Sequence, residues 1–230
     1  MESMKSLVAM LALGLAFPGH AAAYPAPAAL VDAQGDAEQL IGILLSQEAI
    51  LDLGGRAFDY GASQGTIADP EQRKRYDAHP GMKEYVAGKV RPEFQTIMSR
   101  SLPKLRQDLS AIVLDEMTPD EIADTLAFFA SPTGVKMKAQ IYQSIGDKPD
   151  QSQAEMQQSA VAAATANLTP EDYPALMAFG SSSAAQKMQS VTPKISAAGQ
   201  AWAQQMIAAN GARLRKVADA AEAEFLAKNK

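Results

Sequence analysis

Few side chains in this chain could do chemistry. The sequence of 230 residues has no cysteine, which removes disulfides, thiolate catalysis, iron–sulfur clusters and thiolate zinc sites together. Its two histidines are His20 and His79, far from the close helical spacing that seeds a histidine metal site. His79, beside Tyr76, Asp77 and Pro80, is the one histidine outside the N-terminal segment and could serve as a general base, but no nucleophile accompanies it. Ser181-Ser182-Ser183 lacks the Gly-x-Ser-x-Gly elbow of a serine hydrolase and reads as a helix cap. Asp120-Glu121 and Glu171-Asp172 could form the facing acids that hydrolysis requires. Both pairs, however, stand where a helix start already favours negative charge. Eight methionines lie beyond residue 23, and thioethers suit copper(I). None falls in a Met-x-Met or Met-x-x-Met spacing, so adaptable core packing accounts for them. Arg73-Lys74-Arg75, with Arg100 and Lys104, could meet anionic head groups or acidic glycans, but Glu71, Asp77 and Glu84 dilute the charge into a solvated face. No catalytic, cofactor-binding or metal-ligating residue is therefore assigned.

The elements that would position these groups are announced by a repeat. Residues 117–137 and 168–188 align without a gap at an offset of 51. Identities fall at Thr118/Thr169, Pro119/Pro170, Ala127/Ala178, Phe128/Phe179, Ser131/Ser182, Lys136/Lys187 and Met137/Met188. Self-similarity at such a period points to a duplicated supersecondary unit. In the first copy Thr118, Pro119 and Glu121 form a helix start with a capping box, and the second copy keeps the order with its acids exchanged. Ile122, Leu126 and Phe129 share one helical face with Phe128 beside it. Ser131-Pro132 then ends one helix and begins another, and Gly134 admits close approach of the two. Each copy reads as a helical hairpin that needs the other to cover its apolar face.

The run from Leu126 to Met137, Leu-Ala-Phe-Phe-Ala-Ser-Pro-Thr-Gly-Val-Lys-Met, with Met117-Thr118-Pro119-Asp120-Glu121 before it, resembles the signature of the domain-of-unknown-function family 2059. The resemblance implies a small, mostly helical bacterial protein that is exported, and it supplies no catalytic residue. The second copy departs from the signature, with Gly180 at the second aromatic and Ser183 and Ala185 in place of the proline and glycine.

Lys5, the eleven-residue apolar run Leu7–Phe17 and the small residues Ala21-Ala22-Ala23 read as a secretory signal peptide over residues 1–23. The run is too short for a bilayer span, which needs about 20 residues. Cleavage after Ala23, or alternatively Ala21, leaves a periplasmic protein without a transmembrane segment. The net charge of −5 argues against nucleic acid, whose binders carry a basic face.

Residues 24–35, with Pro25, Pro27 and Gly35, read as a flexible leader, and residues 36–230 as a single all-α domain: a helical bundle around two similar hairpins with a long C-terminal helix. Gly54-Gly55 marks a kink or close contact. Residues 61–80, with Gly61, Gly65, Pro70 and Pro80, read as a loop holding at most a short helix, and the helix over 81–116 is expected to break near Pro92 and Pro103. A third Thr-Pro start at Thr192-Pro193 opens a helix toward Lys228. It is about 50 Å long at 1.5 Å per residue, so that its end either wraps the domain or projects. The leading functional reading is a non-enzymatic helical binding or interaction protein without cofactor. A protein partner or apolar small ligand would contact the groove near Phe128, Phe129, Phe179 and Met188. Two alternatives stand beside it: an enzyme using carboxylates or His79, and an assembly protein that oligomerises through the C-terminal helix.

Overall fold

A computed structural model describes residues 32–147 and 167–229, together with residues 155, 158, 159, 162 and 163. The expected signal peptide, residues 1–23, and most of the expected leader lie outside the described residues. Among the described residues there are eight helices and no strand, so the protein is all-α: α1 (Ala33–Leu44), α2 (Gln47–Ala68), α3 (Pro70–Ala78), α4 (Met82–Glu116), α5 (Pro119–Ala130), α6 (Pro132–Asp147), α7 (Tyr173–Gly180) and α8 (Ser183–Lys228). No helix among them is long and apolar enough to cross a membrane.

Two long helices set the frame. At 35 and 46 residues, α4 and α8 are about 52 and 69 Å long at 1.5 Å per residue. They run antiparallel: Lys194 reaches Glu116, Trp202 Nε1 donates to the Ser101 carbonyl at 3.2 Å, and Arg213 Nε lies 2.5 Å from Glu93. Neither helix breaks where its prolines predict. Pro92 and Pro103 lie inside α4, and Pro193 lies inside α8. An internal proline costs roughly 3 kcal/mol. Burial on either side outweighs that cost, since Met98, Leu102 and Leu105 flank Pro103 while Val191 and Ile195 flank Pro193, all within the core.

The shorter helices also start and stop differently from their expected limits. Helix α1 begins at Ala33, three residues inside the expected leader, because Asp32 Oδ1 accepts from Gly35 N at 3.2 Å and caps it. The expected loop over 61–80 is mostly helical. Glycines at 61 and 65 cost only about 1 kcal/mol each in a helix, so α2 continues to Ala68. Asp69 then accepts from Glu71 N and Gln72 N at 3.0 and 3.1 Å, starting α3 at Pro70. The Gly54-Gly55 pair is a close contact within an unbroken helix: a Cβ on Gly54 would lie 2.3 Å from Met98 Sδ on α4.

The main core gathers Leu40 and Ile41 of α1, Met98 and Leu109 of α4, Ile122 of α5 and Met137 of α6. The C-terminal end of α1 is fastened by side chains from elsewhere. Arg106 donates through Nε and Nη2 to the Leu45 carbonyl at 3.1 and 2.5 Å. Lys138 donates to Ile43 O at 2.9 Å and the Tyr142 hydroxyl to Leu44 O. Cations at a helix C-terminus meet the negative end of its dipole, and burial pushes the Lys138 ammonium down and the Tyr142 phenol up. A smaller cluster, separate from the main core, joins Met82, Val86 and Val90 of α4 to Ala221 of α8, with Tyr76, Tyr85 and Phe225 against it.

Candidate functional site

The two repeat copies meet, and their corners are built alike. Ser131 Oγ donates to Phe128 O at 2.6 Å and accepts from Gly134 N at 3.2 Å. Fifty-one residues on, Ser182 Oγ donates to Phe179 O at 2.7 Å and accepts from Ala185 N at 3.2 Å. The first corner has no room for a side chain, since a Cβ on Gly134 would sit 2.1 Å from the Phe128 carbonyl oxygen. The second corner carries Ala185 and is necessarily less tight there.

The helix starts diverge. Thr118 and Glu121 make the full capping box, with Glu121 N donating to Thr118 Oγ1 at 3.3 Å and Thr118 N to Glu121 Oε2 at 2.9 Å. In the second copy only the acidic half survives: Thr169 N donates to Asp172 Oδ2 at 2.8 Å, while Thr169 Oγ1 donates to the same oxygen at 2.9 Å. With its hydroxyl so engaged, Thr169 does not start a helix at Pro170. The chain turns there, and α7 begins only at Tyr173.

Asp172 also crosses to the first copy, accepting from Thr133 Oγ1 at 3.1 Å and Lys136 Nζ at 2.7 Å. These donors, Lys136 foremost, hold its carboxyl well below the usual carboxylate range. Lys187, the repeat counterpart of Lys136, lies 3.8 Å from Glu116, just ahead of the first copy. Each repeat lysine thus reaches an acid near the start of the other copy. Of the two acid pairs, Glu121 is engaged in the Thr118 cap and Asp172 in the ion pair with Lys136.

Phe128 and Phe179, equivalent residues, stack on each other at 4.2 Å between centroids and 5° between planes. Phe129 stands edge-on to both, at 5.2 and 6.1 Å. With Met188 they are at most 9% exposed. The expected contact groove at Phe128, Phe129, Phe179 and Met188 is therefore closed: the rings that were to line it fill it, because burying large aromatic surfaces against each other is worth more than leaving them wet.

What remains open is the outer face of α7. This helix is apolar on both sides: Leu176 and Phe179 enter the core, whereas Tyr173 and Met177, one turn apart, are 52% and 66% exposed. The spacing of Tyr173 and Met177 opposite Leu176 and Phe179 is a signal in the sequence, hidden by the assumption that every apolar residue of the repeat faces inward.

The remaining candidates have structural places. His79 is exposed and ends α3, its N–H donating to Tyr76 O at 3.2 Å and its carbonyl accepting from Met82 N at 3.1 Å. Ser181 Oγ donates to Met177 O, and Ser182 caps α8. Lys74 pairs with Glu71, Arg75 with Glu222 and Lys104 with Asp108. Met82, Met98, Met117, Met137, Met188 and Met206 are buried, and Met156 lies outside the described residues. Among the described residues, no cluster of three His, Asp or Glu side chains could hold a metal. The C-terminal end of α8 does not project. Phe225 packs on Tyr85 at 5.7 Å, and Lys228 and Glu222 donate to and accept from Tyr85 and Tyr76 respectively.

A second opening, absent from the sequence reading, is a shallow cleft of about 330 Å³ between α4 and the last turns of α8. These features define the protein as an all-α bundle with a fused pair of helical hairpins. No protein-family model matches the chain, and no curated protein or solved structure matches it either.

Proposed function

We propose that this chain is an exported, non-enzymatic helical protein of the bacterial periplasm that binds a protein partner through the outer face of α7. The exposed pair Tyr173 and Met177 carries the reading. Large apolar side chains at the surface mark interaction sites when they stand together on a firm base. The base here is firm: the Phe128–Phe179 stack lies beneath α7, the Asp172 network precedes it and the Ser182 cap follows it. The partner would offer an apolar recess with room for a phenol and a thioether. Export is supported by Lys5, the Leu7–Phe17 run and Ala21–Ala23, and by the resemblance of residues 117–137 to a family of exported helical proteins.

A photo-crosslinking residue at position 177, compared with one at exposed Ala111 of α4, tests this in the native host. A discrete crosslinked protein at 177 and none at 111 is the expected result. Identical patterns at the two positions, or none, would overturn it. Fractionation of the same cells should place the protein in the periplasm with Tyr24 or Ala22 as its first residue, and a cytoplasmic, unprocessed chain would refute export.

A further inference from the structure

The eight residues of α7, Tyr-Pro-Ala-Leu-Met-Ala-Phe-Gly, carry no charge, and the one thioether on its outer face is Met177. Oxidation of a methionine requires access to its sulfur. Met177 is 66% exposed, whereas Met82, Met98, Met117, Met137, Met188 and Met206 are at most 9% exposed, so among the described methionines it alone meets solvent. The chain has no cysteine, so no thiol of its own competes for a two-electron oxidant. The helix is also held independently of this side chain. The Met177 carbonyl accepts from Ser181 N at 3.1 Å and from Ser181 Oγ at 2.9 Å, and Leu176 and Phe179 anchor the opposite face in the core. A chemical change at the Met177 sulfur therefore alters the surface without removing a core contact.

A sulfoxide is polar and chiral, and at position 177 it adds a strong hydrogen-bond acceptor to a face whose only other side-chain polar group is the Tyr173 hydroxyl. An apolar recess that fits the thioether offers that oxygen no donor, so binding would bury it unsatisfied. On the reading of α7 as a partner-binding face, we propose that Met177 is a reversible oxidation site and that its sulfoxide releases the partner. The oxidant is a hydroperoxide. A sulfur lone pair attacks one peroxide oxygen, the S–O bond forms as the O–O bond breaks, and the proton passes to the departing oxygen, which leaves as water or an alcohol. Sulfur gives up two electrons and the peroxide takes them. A dithiol-dependent methionine sulfoxide reductase reverses the change, the oxygen leaving as water while two thiols become a disulfide.

Hydrogen peroxide is the probe, applied to the protein purified from its host. Peptide masses followed over time should show Met177 gaining one oxygen at least about tenfold faster than Met98 or Met137, with circular dichroism still native at that stage. The two sulfoxide reductases, supplied with a dithiol, should remove the oxygen. For the partner, the chain carries a photo-crosslinking phenylalanine in place of Tyr173, is oxidised and quenched, and only then meets periplasmic extract from untreated cells, so that the partner never sees peroxide. The untreated chain should give a discrete crosslinked protein. Its yield should fall about tenfold in step with the fraction of Met177 sulfoxide and return after reductase treatment, and Met177→Gln should lack it without any peroxide. Oxidation of Met177 no faster than of the buried methionines overturns the site. A crosslink indifferent to Met177 sulfoxide, or present in Met177→Gln at the native level, overturns the switch alone. No crosslink from the untreated chain overturns the partner reading and the switch with it, whereas the oxidation rates are read from the masses whatever the crosslink shows.

Discussion

A carboxylate that accepts from Lys136, from the backbone and hydroxyl of Thr169, and from Thr133 is strongly favoured as an anion, which is the position of Asp172. Its folded-state pKa lies below the unfolded value of about 3.9, chiefly through Lys136. The folded state therefore binds this proton less readily than the unfolded chain does. The contribution to stability is complete above about pH 4 and fades as the pH falls below it. Asp172→Asn should lower the stability of the protein at pH 7, and the difference from the native chain should shrink toward about pH 3. Urea unfolding at the two pH values checks this, and a difference that stays constant would mean that the carboxylate's charge is not what matters. The local half of this network was legible in advance, since the Thr-Pro-acid pattern announces an acid reaching back to a helix start. The reach from Asp172 to Lys136, 36 residues away, was not, because spacing alone does not say which helices become neighbours.

At the level of elements, the caps at Thr118, Ser131 and Ser182 were legible, whereas the course of the chain at the prolines inside α4 and α8 was not. Thr118, Ser131 and Ser182 all cap as their residue types suggest, because a cap is a bond between residues three apart and needs no tertiary knowledge. Proline was the misleading signal. Thr192-Pro193 looks like Thr118-Pro119, yet Thr192 is 4% exposed in mid-helix, and the hydroxyls of Thr192 and Ser196 are buried without a hydrogen-bond partner. The real start of α8 lies ten residues earlier, at the Ser182 cap. Tertiary burial of Val191 and Ile195 carries the helix through Pro193 at the expense of a backbone hydrogen bond. Pro193→Ala restores that donor and should raise unfolding stability by about 1–2 kcal/mol, the helical gain being partly offset by a freer unfolded chain. Chemical denaturation measures it directly. A loss of stability would show instead that the ring fills space between α8 and its neighbours that a methyl group leaves empty.

At the scale of the molecule, the described residues form two unequal clusters strung along the α4–α8 pair, an organisation that periodicity could not reveal: it tells which face of a helix is apolar but not which other helix covers it. The larger cluster draws on α1, α2, α4, α5, α6, α7 and α8, whereas the smaller one rests on Met82, Val86 and Val90 of α4 under Ala221 and Phe225 of α8. Around the smaller cluster the fastenings are surface pairs, Arg75–Glu222 and Lys89–Glu224, each worth little in water. Regions with few buried apolar contacts open at lower free energy than a core does. The last turns of α8 therefore act as a cover for α3 and the beginning of α4, a role that differs from the self-association expected of a projecting helix. Truncation after Asn210 should leave the main core folded, since Ile195, Ala203 and Met206 remain, while removing the cover from Met82, Val86 and Val90. Hydrogen exchange should accordingly rise steeply across residues 70–90 and change little in α5 and α6. Uniform acceleration throughout the chain would show that the two clusters unfold as one. Unchanged exchange in 70–90 would show that α3 and the start of α4 hold together without α8.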